Sequence, residues 1–255
     1  MEPKDNIVAA VILAAGLGTR MRSNRAKVLH AIDGKPMILF VVETAAAVVG
    51  PDHVVVVVGH QAEEVRAVIS EHYAVGFALQ PKQRGTGDAV RCALDAIPQG
   101  ADHIVILCGD VPRLKPVTIA RLLDAHCQNA NDITVLAVEV EQPDGYGRII
   151  SDAAGQVLGI IEEADASAAQ RSIRLINSGI YCVEKDFLKR ALEEIQPDNA
   201  QGEYYLTDIV AVAKANGRRV GLQIGSNADE VAGINTIDQL EAVATAMRDD
   251  GGKSA

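Results

Sequence analysis

The sequence predicts an α/β protein in which helices cover both faces of a mixed, mostly parallel sheet. Two patterns carry that expectation. Through the first half, short apolar runs rich in valine and isoleucine alternate with stretches of helical periodicity, the mark of successive strand–helix–strand units. In the second half the runs lie closer together and include a hairpin, so antiparallel pairs join the parallel ones.

Strands are expected at residues 8–14, 53–58, 75–80 and 103–108, each a short apolar run bounded by turn formers. Helices are expected between them at 37–49, 62–71 and 87–96, with breakers such as Gly50-Pro51 closing the first. Residues 133–140 read as a further strand, 148–151 and 157–161 as the arms of a hairpin turning at Ala153-Ala154-Gly155, and 176–183 as another strand. Helices follow near 186–195 and 206–215, then a strand at 220–224. A last amphipathic helix at 237–247 is expected to run into a frayed polar tail, 249–255. No Pro/Gly/Ser-rich linker, low-complexity tract or internal repeat interrupts this order, and no hexapeptide repeat of a left-handed β-helix is present. We therefore expect one domain over residues 1–255, made of a first half at about 5–130 and a second at about 131–245.

Hydrophobic residues make up 48% and charged residues 23%, a composition able to bury a core. The net charge of −10 argues against nucleic acid or an anionic membrane as partner, because both require a broad basic surface. A small anion needs only a local one. Arg20, Arg22, Arg25, Lys27, His30 and Lys35 supply it in a stretch whose single acid is Asp33, although a solvated loop fits the same pattern. Cys92, Cys108, Cys127 and Cys182 lie far apart without a C-x-x-C pair, as expected of small buried residues in a reducing compartment. The apolar run 7–13 is too short to span a bilayer and lacks a basic lead-in, so a cytoplasmic protein is expected.

The densest chemical signal is Leu13-Ala14-Ala15-Gly16-Leu17-Gly18-Thr19-Arg20-Met21, a glycine-rich loop leaving the first strand, with Lys27 beyond it. Glycine lets a backbone come close to a phosphate, and the exposed amides of such a loop donate to its oxygens. A dinucleotide fingerprint would need a third glycine where Met21 stands, and a P-loop would end in Gly-Lys-Ser/Thr; neither occurs. A Gly-x-Gly turn alone is also compatible with a structural role, but Arg20 and Lys27 beside it favour an anion. Gln80 closes the third strand and Cys108-Gly109-Asp110-Val111-Pro112 follows the fourth. Ligands of open parallel sheets bind at the carboxyl ends of strands, which brings loop, amide and carboxylate to one edge. Asp110 there suits magnesium, which takes one or two protein oxygens plus substrate phosphates; an ordinary turn aspartate is the alternative. Thr86, flanked by Gly85 and Gly87, fits either ligand contact or a helix N-cap.

These segments, together with Lys27-Val-Leu-His30, Gly145-Tyr-Gly-Arg-Ile149, Asn177-Ser-Gly179, Gln201-Gly-Glu-Tyr-Tyr-Leu-Thr-Asp208 and Gly233-Ile-Asn235, resemble the N-terminal domain of the bacterial N-acetylglucosamine-1-phosphate uridylyltransferases, among the sugar nucleotidyltransferases. The resemblance covers nearly the whole chain. It implies a Rossmann-like three-layer α/β/α nucleotidyltransferase fold, a nucleotide-binding first half and a sugar-binding second half. It implies transfer of UMP from UTP to N-acetylglucosamine 1-phosphate, giving UDP-N-acetylglucosamine and pyrophosphate. Leu13, Ala14, Ala15 and Gly16 would cradle the nucleotide, Gln80 would pair with the uracil edge, and Gly85 and Thr86 would complete that pocket. Arg20, Lys27 and Asp110 would be catalytic, and Asp110 and Asn235 would bind Mg²⁺. Cys108, Gly109, Gly147, Glu162, Asn177 and Asn235 would meet the sugar, with Tyr204 and Thr207 nearby.

Two positions depart from the family pattern: Ala164 stands where lysine is common, and Cys108 where an aromatic residue is frequent. The first bears on acceptor identity, leaving glucose 1-phosphate, another sugar 1-phosphate or a phosphorylated alcohol as alternatives. A nucleotide-sugar-binding regulator without turnover is a further alternative, against which Lys27 and Asp110 count. A glycosyltransferase is disfavoured by the lack of an Asp-x-Asp motif. No acetyltransferase β-helix, and hence no acetyltransferase activity, is expected of this chain.

Overall fold

The computed structural model describes residues 6–252 and forms three layers around a nine-stranded sheet. In chain order the elements are β1 (Val8–Ala14), a two-stranded hairpin β2 (Ala31–Ile32) and β3 (Lys35–Pro36), α1 (Met37–Val49), β4 (Val54–Val58), α2 (Ala62–Ser70), β5 (Gly76–Leu79) and α3 (Thr86–Ala93). They continue with β6 (His103–Cys108), α4 (Pro116–Gln128), β7 (Ile133–Glu139), β8 (Gly147–Ser151), β9 (Val157–Ile161), α5 (Ala168–Arg171) and β10 (Leu175–Glu184). The last are α6 (Lys185–Glu194), α7 (Asp208–Ala215), β11 (Val220–Ile224) and α8 (Ile237–Gly252).

The main sheet runs β11-β7-β10-β6-β1-β4-β5, with β8 and β9 added beside β10. β1 pairs in parallel with both β4 and β6, so the strand order turns at β1 and opens a crevice past its carboxyl end. β10 runs antiparallel to β6, β7 and β8. Its register breaks between Asn177 and Ile180. Beyond that break β10 leaves β6, and Ile176 and Asn177 pair instead with Arg148 and Gly147 of β8. The sheet therefore parts between the end of β6 and the start of β8, and a cavity opens there.

Alternation along the strands sorts the core into two faces. Ala9 and Val11 of β1 join Val90 of α3, Leu188 and Leu192 of α6 and Ile209 of α7, whereas Ala10 and Ile12 join Val41 and Val42 of α1, Ile69 of α2 and Leu122 of α4. β4, five consecutive valines, is buried throughout, as a central parallel strand covered on both sides should be. A smaller cluster seats α8 on the hairpin, with Leu240, Val243 and Met247 against Ile32, Met37 and Ile234.

Most expected elements occur within a residue or two of their positions. α4 and the short β2, β3 and α5 lie outside them; Pro116 in the first turn of α4 and Ile119 and Leu122 at helical spacing are the signals that mark it. The polar tail is helical as far as Gly252 rather than frayed from residue 249, since Arg113 pairs with Asp250 at 3.0 Å and holds that end of α8. Residues 253–255 of the expected tail fall outside the described residues. Among the described residues, no helix is long and apolar enough to cross a membrane.

Candidate active site

Two adjoining cavities occupy the crevice past the ends of β1 and β6. The larger, about 450 Å³, is lined by Leu13 to Thr19, Lys27, Gln80, Gly85, Thr86, Cys108 and Asp110. The smaller, about 200 Å³, is lined by Cys108, Asp110, Tyr146, Gly147, Glu162, Asn177, Tyr181, Thr207 and Asn235. Leu13, Thr86, Cys108 and Asp110 belong to both, so the two form one continuous space.

The glycine loop takes its shape from a backbone only glycine accommodates well. Gly18 has φ +64°, and a Cβ there would lie 2.5 Å from the Cβ of Lys27. Lys27 is thereby drawn in beneath the loop. Its Nζ donates to Asp110 Oδ2 and, at 2.8 Å, to Asn235 Oδ1, which also accepts from Arg20 Nη2 at 2.8 Å. Asp110 reaches this point from the end of β6, and Asn235 from the turn before α8, where Gln239 Oε1 accepts from the Asn235 N–H at 2.7 Å. Three distant segments meet at one charge cluster.

The oxygens of Asp110 and Asn235 already converge on a cation, the Lys27 ammonium, so the pair suits a hard metal ion. Among the described residues no group of three or more His, Cys, Asp or Glu side chains could hold a metal by itself. A cation here would complete its shell with phosphate and water oxygens, as magnesium usually does.

The rest of the basic stretch does not gather at the site. Arg22 and Arg25 are exposed, without an ion pair among the described residues; Lys35 pairs with Glu43. His30 is half-buried, and burial followed by the Arg25 charge lowers its pKa.

Beside the larger cavity, Gly85 holds φ +108°, and a Cβ would come within 2.5 Å of the Tyr204 carbonyl oxygen. The 201–208 segment docks on this saddle through its backbone: the Gly87 N–H donates to Tyr204 O at 2.8 Å and the Leu206 N–H to Thr86 Oγ1 at 3.0 Å. Thr86 is thus the first residue of α3 and a latch to a later segment, not an N-cap. Gln80 is 3% exposed, and its Nε2 donates to Gly85 O and Asp88 Oδ2.

At the other end of the crevice, the break in β10 turns Asn177 into the smaller cavity. Its Nδ2 donates to the Tyr181 hydroxyl at 2.6 Å and its Oδ1 accepts from the Gly179 N–H at 3.1 Å. Glu162 accepts from Thr207 Oγ1 at 3.1 Å; burial raises its carboxyl pKa against that bond, and the Asp208 and Asp165 charges raise it further. Gly147 packs against Ile160, Glu162 and Asn177. Cys108 lies between the cavities, its Sγ 3.6 Å from Gly179 O, and burial pushes its thiol up to about 12.

Gly109 and Tyr204 stand apart from the linings of the two cavities. Gly109 lies behind the wall, its N–H donating to Leu13 O at 2.9 Å, and does not line either cavity. Tyr204 packs its ring on the core beneath Arg91, 4.8 Å from the guanidinium. Of the cysteines, Cys182 is buried but Cys127 is exposed, because it sits on the outward face near the end of α4. Tyr146, Tyr181 and Asp88 join the site without having been singled out; Tyr146 alone lay inside a recognised motif, Gly145 to Ile149.

Residues 9–228 match the sequence profile of the nucleotidyl transferase family. The bifunctional protein GlmU of Syntrophotalea carbinolica is 49% identical over 245 residues, covering 96% of this chain and 52% of that protein. GlmU of Corynebacterium aurimucosum is 43% identical, covering 92% and 49%, and that of Desulfotalea psychrophila 41%, covering 93% and 69%. The chain spans about half the length of the first two. A solved structure described as a glucose-1-phosphate thymidylyltransferase of Bacillus anthracis, in complex with sucrose, superposes with a TM-score of 0.72 over 95% of this chain and 96% of that one; at 19% identity it supports the fold alone. A profile match over most of the length, relatives above 40% identity and a cation cluster at the carboxyl ends of parallel strands agree: this chain belongs to the nucleotidyl transferase family.

Proposed function

We propose that this protein transfers UMP from UTP to N-acetylglucosamine 1-phosphate, releasing pyrophosphate and forming UDP-N-acetylglucosamine. The observation that carries the reading is the Lys27 ammonium bridging Asp110 and Asn235 where the two cavities join. The relatives named GlmU, 41–49% identical over nearly the whole chain, support the choice of substrates. The sheet shared by both parts supports reading residues 5–130 and 131–245 as nucleotide and sugar halves of one domain.

In this reading Leu13 to Gly16 cradle the triphosphate by backbone amides, and the open space left by Gly16, where a Cβ would meet nothing within 4 Å, admits it. Gln80, Gly85 and Thr86 bound the base. Gly147, Glu162 and Asn177 hold the sugar through its hydroxyl and acetamido groups, with Tyr181 and Thr207 fixing the two side chains. The sugar phosphate oxygen attacks the α-phosphorus in line while pyrophosphate departs, so no protein nucleophile is needed. Lys27 and Arg20 turn from Asn235 to the phosphates and stabilise the charge that grows on them. Mg²⁺ bound by Asp110 and Asn235 would neutralise phosphate oxygens. The free cysteines and a nucleoside triphosphate substrate fit a reducing, cytoplasmic setting.

The test is product identification by mass after incubating the protein with UTP, Mg²⁺ and a mixture of sugar 1-phosphates. UDP-N-acetylglucosamine as the main product is expected. A different UDP-sugar would reassign the acceptor, and no Mg²⁺-dependent pyrophosphate release with any of them would overturn the reading.

A further inference from the structure

We propose that Asp88 selects the nucleobase by fixing which end of the Gln80 amide faces the nucleotide cavity; the inference rests on the uridylyl reading above. Gln80 follows β5, and its backbone N–H is held by Val58 O at 2.8 Å. Its side chain is nearly sealed from solvent, and Nε2 lies 3.1 Å from Gly85 O and 2.9 Å from Asp88 Oδ2. A carbonyl oxygen and a carboxylate can only accept, so they satisfy the amide in one orientation, NH₂ toward them. Both amide hydrogens are then engaged. Oε1 accepts no hydrogen bond from the described residues, and Gln80 lines the larger cavity.

A buried carbonyl turned to a base requires a donor from that base. Uracil offers N3–H. Cytosine carries a lone pair on N3, and two acceptors facing each other in a buried site leave both unpaired. A site built to hydrogen-bond one group rejects an analogue lacking it far more strongly than a shape mismatch would. Gly85 contributes a backbone oxygen that no side-chain change removes, so Asp88 is the adjustable anchor of the amide. Asp88 also stands in the first turn of α3, where an acid is favoured by the helix dipole. That role serves stability and is indifferent to the base, which makes the two separable.

The experiment measures binding of UTP, CTP and N3-methyluridine triphosphate, each with Mg²⁺, to the full chain and to Asp88→Asn and Asp88→Ala, with a melting curve for each protein. The wild type is expected to favour UTP over both others by roughly 100-fold or more. In Asp88→Asn, whose amide can donate as well as accept, Gln80 can turn over, and the UTP to CTP ratio should fall at least tenfold. Asp88→Ala should move in the same direction. A ratio unchanged in both variants, or affinities for UTP and CTP that drop by one common factor, overturns the inference while leaving the uridylyl reading intact. A wild type that binds CTP as tightly as UTP overturns both.

Discussion

Lys27→Ala should separate the chemistry of the site from the stability of the fold. Lys27 Nζ donates to Asp110 Oδ2 and Asn235 Oδ1, and the Lys27 and Asp110 side chains are each 17% exposed. Water reaches the pair, so its loss lies between that of an exposed ion pair and a fully buried one, about 1–2 kcal/mol of folding stability. Turnover should suffer more. If the ammonium makes two charge-assisted bonds to the reacting phosphates, each contributing about 1.5–3 kcal/mol, their loss raises the barrier by about 3–6 kcal/mol. That corresponds to roughly a 10²- to 10⁴-fold slower reaction. Urea unfolding gives the first quantity, and pyrophosphate release with UTP and N-acetylglucosamine 1-phosphate gives the second. Wild-type turnover in the variant would refute the assigned role. So would a stability loss well beyond the range above, which would make Lys27 a structural cation.

Other perturbations test the surrounding frame. Tyr181→Phe keeps the ring but leaves Asn177 Nδ2 without its 2.6 Å partner; the KM for the acceptor should rise about 5- to 20-fold with kcat little changed, and an unaltered KM would show that Asn177 needs no such support. Gly85→Ala forces a Cβ onto the Tyr204 carbonyl at positive φ and should cost more than about 2 kcal/mol by urea midpoint; a neutral result would mean the 201–208 segment is not seated on this saddle. His126, buried against His103 and Thr134, is lowered by burial, and then by the His103 charge, from 6.5 to about 4. The unfolded chain therefore binds the extra proton first. Stability should fall as pH drops from 6.5 toward 4, by up to about 3 kcal/mol, and His126→Gln should flatten that slope; equal slopes in both proteins would contradict it.

Much of the fold is legible because its signals are local. Valine-rich runs such as residues 54–58 are too short for helices and lie between breakers, and the carboxyl ends of β1 and β6 follow from the alternating order. Gly18, Lys27 and Asp110 stand out for the same reason, each beside a strand end or a glycine turn. Tyr181 and Asp88 do not. In sequence Tyr181 is one more β-strand aromatic and Asp88 one more acid in a first helical turn, and only their partners distinguish them. Gly109 shows the converse: it stands out in the 108–112 run, yet its N–H is taken by a backbone bond to β1.

By itself the sequence determined the strand–helix order, the glycine loop and the residue types able to grip a phosphate, since periodicity and turn chemistry reside in neighbouring residues. Tertiary structure alone decided that Lys27 meets Asp110, 83 positions away, and Asn235, 208 positions away. It also decided that the register of β10 breaks after Asn177, beside the smaller cavity, and that the Gln80 amide nitrogen meets Asp88. Such outcomes depend on strand register and on which buried polar groups must satisfy one another, and no local stretch of chain carries that information.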